Sequence, residues 1–421
     1  MLKINKLVQQ SPWFYGWTVV GTVCLTNFTA VVFFNPILGV FSSDLEIEFG
    51  WSRASVAAAI SIGSVAAAAA SPITGWMVDR WGGRWVLAVA SLLISLVLLY
   101  LIELKYLWQL YLAYAIGRGL SMAAVSNVGF VVVNNWFIAK RSTAVGFVAV
   151  SQRIGMALLP LYVATVITIS GNWRIGWVAL GLVVLFFGVF PPAFFIRRRP
   201  EDIGLVADGG VYNQDVQDQS NNPFNQDFSL NDALHTRAYW LIGMTIAIAM
   251  FTGGSINFHQ IPYMMDKGFS STAAALVVMI YSFVGAVGAV LGGYFADKFT
   301  ARKTMILSFL IMSVGPLLLL HTDSLSFAMV YAITYGLFFG SSFALSQAIY
   351  ADYFGRTSLG VIRGSFQPVQ LILNAAGPFF TGLWVDHFGS YAVPFFLFSG
   401  CMLLAALLLV LATYPKKREV L

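Results

Sequence analysis

The sequence predicts an all-α membrane protein with twelve transmembrane helices in two six-helix bundles and both termini in the cytoplasm. Three observations carry that prediction. Of 421 residues, 58% are hydrophobic and only 10% charged, whereas roughly a quarter of the residues in soluble domains are charged. Apolar stretches recur along the whole chain, each long enough for the roughly 17 to 25 helical residues that cross a hydrocarbon core. The second half of the chain also repeats landmarks of the first half in the same order.

In chain order the stretches lie at 17–41, 52–78, 85–102, 107–137, 143–169 and 175–196, then at 238–264, 272–296, 304–320, 325–350, 358–384 and 391–414. They are numbered here as spans 1 to 12. The first is too long for a signal-peptide core and lacks a small-residue cleavage site, so it is read as a span and not as a removed leader. Spans 3, 6, 9 and 12, such as SLLISLVLLYLI (91–102) and WVALGLVVLFFGVF (177–190), show no polar stripe beyond isolated serines. Helices packed mainly against lipid look like this. Spans 1, 4, 5, 7 and 11 carry the polar residues, a division that a central cavity lined by the other eight helices would produce. Cys24 and Cys401 fall within spans near opposite ends of the chain, which suggests packing and neither a disulfide nor a metal site.

Orientation follows from the lysines and arginines, because cytoplasmic loops hold the excess. With the N-terminus inside, 17 of the 24 fall on the inner side, while only Arg53, Lys105, Arg174 and Lys267 fall outside. Arg118, Arg153 and Arg363 lie within spans. The net charge of +6 therefore reflects topology and does not mark a nucleic-acid surface.

Shifting the sequence by 218 residues lays GWMVDRWGGR (75–84) on GYFADKFTAR (293–302). Gly75, Asp79, Arg80 and Arg84 then meet Gly293, Asp297, Lys298 and Arg302. A shift of 217 likewise pairs YAIGRGL (114–120) with YAITYGL (331–337), with Tyr335 where Arg118 stands. The predicted organisation is a cytoplasmic tail at 1–12, a bundle at 13–199, a linker at 200–237, a second bundle at 238–414 and a tail at 415–421. The linker is rich in Asn, Gln and Asp, too polar to bury a core of its own, with a short helix expected near Leu230 to Arg237.

GWMVDRWGGR has the GxxxDRxG pattern of the loop between helices 2 and 3 in the major facilitator superfamily, and 293–302 resembles its weaker second copy. WFYGW (13–17), FGWSR (49–53), WFIAKRSTAVGF (136–147), RRRPEDIGLVADG (197–209) and the GP and GLWVDHFGSY elements of 377–391 resemble bacterial members of the monocarboxylate transporter group. That group is also similar to the oxalate:formate exchangers. The resemblance covers nearly the whole chain. It implies the major facilitator fold, a substrate site at the midplane between the halves, and conformational control by Gly75, Asp79, Arg80, Arg84, Asp297 and Lys298. Characterised carboxylate transporters of this group place an essential arginine in helix 8. Here that span reads AAALVVMIYSFVGAVGAVLGG, with Tyr281 its nearest polar candidate.

The residues themselves point to an anion. Arg118 and Arg153 each lie about 11 residues, or roughly 16 Å, into their spans, where a charge facing lipid costs some 2.5 kcal/mol or more. None of the 18 acidic residues falls in the middle of a span. An arginine fork matches a carboxylate bidentately, so either arginine is a candidate for the substrate charge; alternatively, each braces backbone carbonyls where helices cross. On span 11, Arg363, Gln367, Gln370 and Asn374 are spaced 4, 3 and 4, one helical stripe. Gln367, Gln370 and Asn374 join Tyr281 and Tyr335 as expected substrate contacts, while Arg363 is close enough to the inner end to snorkel. Threonines 22, 26 and 29 form a weaker stripe, since such hydroxyls often bond their own backbone. His259 is the candidate for proton handling, set against a structural histidine.

No nucleophile and base pair, phosphate loop or metal-ligand cluster stands out, so neither an enzyme nor a cofactor is expected. The reading is a plasma-membrane transporter, bacterial by resemblance, acting as a monomer on a small organic anion by alternating access. Proton symport and anion exchange stay open, and a transceptor or an exporter of other small molecules ranks below them.

Overall fold

The computed structural model describes residues 14–137, 141–197, 199–205, 228–355 and 359–415. Every regular element among the described residues is helical. In order these are α1 (Gly16–Thr29), α2 (Asn35–Phe49), α3 (Arg53–Trp81), α4 (Gly83–Tyr100), α5 (Leu107–Leu120), α6 (Asn127–Trp136), α7 (Arg141–Ser170), α8 (Trp173–Val183) and α9 (Phe190–Phe195). Further along come α10 (Leu230–Leu234), α11 (Arg237–Asp266), α12 (Ser271–Phe299), α13 (Ala301–Met312), α14 (Gly315–Leu320), α15 (Leu325–Phe354), α16 (Leu359–Phe388) and α17 (Ala392–Leu411). The short linker helix is α10, whose Ser229 caps the amide of Asp232.

Eleven helical stretches of the described residues are long and apolar enough to cross a membrane. The thirty-residue α16 is long enough, at about 45 Å, but Arg363, Gln367, Gln370 and Asn374 lower its hydropathy and it is not among the eleven.

Several spans are not simple helices. Between α1 and α2 the chain tightens into a 3-10 turn, Ala30–Phe33, and Phe34 is extended at ψ 163°. Pro36 has no amide to donate, and its ring would collide with the carbonyl four residues earlier, so the α-helix cannot run through and restarts around the proline. Sequence reading treated span 1 as continuous; the Asn35–Pro36 pair was the missed signal. Wide π turns also interrupt the fourth and sixth spans, at Ser121–Ser126 and Val184–Val189.

By contact the chain divides into two compact units, residues 1–37 with 62–219 and residues 38–61 with 220–421. This differs from the division by repeat, because α2 and the start of α3 pack within the second unit. A Cβ on Gly39 would stand 2.6 Å from the Phe258 carbonyl, and one on Gly382 2.7 Å from the Ala54 backbone. Ser61 donates to the Ala375 carbonyl at 2.8 Å. Elsewhere in the second unit α12 and α15 meet backbone to backbone. Gly285, Gly288 and Gly292 face Gly336, Leu337, Gly340 and Ser341 with no room for a side chain, the small-residue packing that membrane helices use in place of a hydrophobic driving force.

Candidate functional site

In the first unit Arg118 is the focus. It is the twelfth residue of the thirty-residue stretch Leu107–Trp136 and is 3% exposed. The break after α1 prepares its surroundings. In an uninterrupted helix the Phe33 carbonyl would accept from Ile37, but the Ile37 amide bonds Phe34 instead. The freed carbonyl accepts from Arg118 Nη1 at 2.9 Å, and Ser64 Oγ accepts from Nε at 3.0 Å. The guanidinium lies 5.6 Å from the Phe34 ring centroid. Gly63 lets α3 come against Arg118, since a Cβ there would stand 2.7 Å from the Tyr114 carbonyl and 2.8 Å from Arg118 Cβ. Gly117 likewise leaves room for the Phe33 ring.

Among the described residues, no acidic group pairs with Arg118. Both of its partners are neutral acceptors, so the net charge is not cancelled locally. Two positions along α7, Gln152 and Arg153 are half-buried. Gln152 donates to Ser126 Oγ at 2.8 Å, bracing the π turn that follows Arg118. The threonines of α1 have their own backbone as partner: Thr22 donates to Thr18, Thr26 to Thr22 and Thr29 to Thr26.

The remaining expected contacts lie in the second unit. Tyr335 is fully buried in a run of stacked rings, 5.7 Å from Tyr331, 5.9 Å from Tyr281 and 6.0 Å from Phe339. Its ring covers Gly315, and its hydroxyl has no partner among the described residues. On α16, Gln367 is exposed, while Gln370 and Asn374 are half-buried. Asn374 donates to the Met250 carbonyl at 3.0 Å, joining α16 to α11. Of the residues expected to control conformation, Gly75 stands in open space and Arg80 lies 5.4 Å from the Trp76 ring centroid. Arg84 donates to the Ala193 carbonyl at 2.8 Å, and Lys298 is 5.7 Å from the Phe299 ring centroid. The side chains of Asp79 and Asp297 lie outside what is described.

Sequence reading missed the densest ionic cluster of the second unit. Arg53, treated only as a topological charge, holds Asp266 with both terminal nitrogens and Glu46 through Nε at 3.0 Å. Its side chain is 11% exposed. Arg53 Nη1 also donates to Tyr391 at 2.7 Å. Asp386 from α16 accepts the amides of Arg53 and Ala54 at 3.0 and 2.9 Å, satisfying donors that the start of α3 would leave orphaned. The cluster lines a cleft of about 890 Å³. The FGWSR motif and the acidic residues at helix ends were the available signals.

His259, fully buried, closes the chain of contacts. Its Nε2 is 2.8 Å from the Pro378 carbonyl, which can only accept, so that nitrogen carries the proton. Nδ1, 3.2 Å from the Tyr391 hydroxyl, is then the acceptor in the neutral ring. The Tyr391 O–H is the donor to that nitrogen. At the rim Lys267 pairs with Asp323 at 3.2 Å, and that carboxylate raises the ammonium pKa.

The Major Facilitator Superfamily model matches residues 22–266 and 242–421. An oxalate:formate antiporter of Oxalobacter formigenes is 23% identical over 354 residues, 82% of this chain and 78% of the relative. Monocarboxylate transporter 12 of Rattus norvegicus is 21% identical over 440 residues, covering 100% of this chain and 90% of that protein. The crystal structure of a bacterial homolog of the human lysosomal transporter Spinster, inward-facing and unoccupied, superposes with a TM-score of 0.70 at 16% identity, over 94% of this chain and 95% of its own. With helices fit to cross a membrane and a family match spanning both repeats, the chain is a transporter and not an enzyme, and it belongs to the Major Facilitator Superfamily.

Proposed function

We propose that this transporter moves a small organic anion, a mono- or dicarboxylate, by alternating access, and that Arg118 meets its charge. One observation carries the reading: a buried guanidinium whose hydrogen-bond partners, Phe33 and Ser64, are both neutral. An unpaired cation in such a setting is costly, and a carboxylate would complete the fork. The similarity to an oxalate:formate antiporter and a monocarboxylate transporter supports the same chemical class.

In this reading Arg153 is the second cationic contact, and Gln367, Gln370 and Asn374 orient the cargo with Tyr281 and Tyr335. The loops at Gly75, Asp79, Arg80 and Arg84 and at Asp297 and Lys298 control the conformational exchange. In this reading α16 is the remaining span of twelve; an even count puts both termini on one side, and the lysine and arginine bias favours the cytoplasmic side of a plasma membrane, with the ends bearing Arg53 outside. The bundles are 13–199 and 238–414, joined by the linker 200–237, and the monomer is the working unit.

Uptake of labelled lactate, pyruvate, acetate, oxalate and small dicarboxylates into proteoliposomes tests this. Arg118→Gln is expected to lower uptake of the best substrate at least tenfold with the protein still folded. Normal affinity and rate in both Arg118→Gln and Arg153→Gln would sink the anion site. An imposed pH gradient separates the coupling modes: uphill accumulation supports proton symport, and uptake only against internal anion supports the exchange that the antiporter's name suggests.

A further inference from the structure

We propose that Arg53 is the latch of the outer gate and that a proton on His259 releases it. The inference rests on the alternating-access reading for its sidedness, and its residues all belong to the second unit. Asp266, Glu46 and Tyr391 all hydrogen-bond to Arg53. It stands at the first turn of α3, which Asp386 of α16 holds by two amides. Together these contacts fasten α2 and α3 to α11, to α16 and to the start of α17.

The coupling follows from donor and acceptor counting around one phenol. The Tyr391 oxygen accepts from Arg53, and its O–H donates to His259 Nδ1. With Nε2–H already committed to the Pro378 carbonyl, the neutral ring satisfies every group in the chain. A second proton must go on Nδ1. That nitrogen then becomes a donor aimed at the same oxygen that Arg53 already uses, and the phenolic hydrogen loses its acceptor. It also puts a second cation one phenol away from the guanidinium. The groups facing the histidine offer nothing to offset this directly: Arg53 from α3, Tyr391 ahead of α17 and Tyr263 from its own helix, whose ring stands 5.1 Å from that of Tyr391. The carboxylates of Glu46, Asp266 and Asp386 lie beyond Arg53 and are engaged by it or by its helix terminus. Protonation of His259 therefore weakens the closed latch, and acidification favours release.

Accessibility beneath the latch reads this out without any substrate. Ser61 lies eight residues inward on α3, about 12 Å from Arg53 along the helix. In a Cys24→Ser, Cys401→Ser background, Ser61→Cys is labelled with a membrane-impermeant maleimide applied from each side in turn. Rates are divided by those of the exposed Ser324→Cys, which cancels the pH dependence of the thiol. From the outer side the ratio is expected to rise at least threefold between about pH 8 and about pH 5, the range in which a histidine released from burial titrates. His259→Gln keeps a donor and an acceptor and should make the ratio flat, while Asp266→Asn should make it high at both pH values. A flat ratio in the parent, or a pH response that survives in His259→Gln, would overturn the proposal. Failure of every tested carboxylate to be transported would overturn the anion reading and leave the latch untouched.

Discussion

The main-chain carbonyl of Phe33 accepts from Arg118 Nη1 at 2.9 Å, so a break in one helix is what holds the buried charge of another. The carbonyl is available because Pro36 stops the α-helix and the Ile37 amide turns to Phe34. The site is thus set by backbone chemistry as much as by side chains.

Pro36→Ala tests that dependence. Alanine removes the block and restores a donor, so the helix should heal through residues 30–36 and the Phe33 carbonyl should return to the Ile37 amide. Thermal unfolding in detergent is expected to shift upward or stay level, while the KM for the best anion rises several-fold. A healed helix, seen as unchanged or greater stability with unchanged KM, would separate Phe33 from the function of Arg118.

Gly63→Ala should be damaging. Its Cβ would meet the Tyr114 carbonyl at 2.7 Å and Arg118 Cβ at 2.8 Å, and overpacking of this kind costs about 1–3 kcal/mol. Gly21→Ala in α1, with nothing within 4 Å, should be neutral or gain about 0.5–1 kcal/mol of helix preference. Comparing Tm and uptake for the pair distinguishes close approach from general intolerance of larger residues.

Asp386→Ala removes both acceptors from the first turn of α3. By analogy with side-chain caps, the loss is about 1 kcal/mol, and Asp386→Asn, which keeps one oxygen, should lose less. Chemical denaturation of the purified protein would show the ordering.

Lys267 supplies a pH prediction. Asp323 raises its pKa above the ordinary 10.5, so the pair's contribution is fully present below pH 10.5 and fades as pH rises through the higher folded-state value. Both partners are solvent-accessible, and exposed pairs contribute little. Lys267→Met is expected to leave Tm unchanged at pH 7, and to remove only whatever loss of stability the parent shows above pH 10.5.

Much of this was legible in one dimension because membrane helices advertise themselves by composition and length. The repeat of 75–84 at 293–302 marked the two homologous halves, and the unpartnered arginine of YAIGRGL stood out because no acid occupies the middle of any span. The short helix at the end of the linker was also readable: expected near Leu230 to Arg237, it spans Leu230–Leu234. Arg53 was not. An arginine beside an expected loop resembles any other topological charge, and its partners Glu46, Asp266 and Asp386 are between 7 and 333 residues away in sequence. The break in the first span was missed for a smaller reason: hydropathy runs through Asn35–Pro36 without interruption, and only the missing amide of proline records it.

The sequence by itself determined the membrane class, the internal duplication and the presence of buried positive charge, since transfer into hydrocarbon acts residue by residue and leaves a one-dimensional trace. Tertiary structure alone decided which oxygen each arginine meets, that Tyr335 is enclosed among rings, and that Tyr391 joins Arg53 to His259. Those outcomes depend on where a carbonyl is freed and how closely glycines let backbones approach. Hydrogen bonds are directional over a few tenths of an ångström, and no pattern along the chain encodes a distance that short.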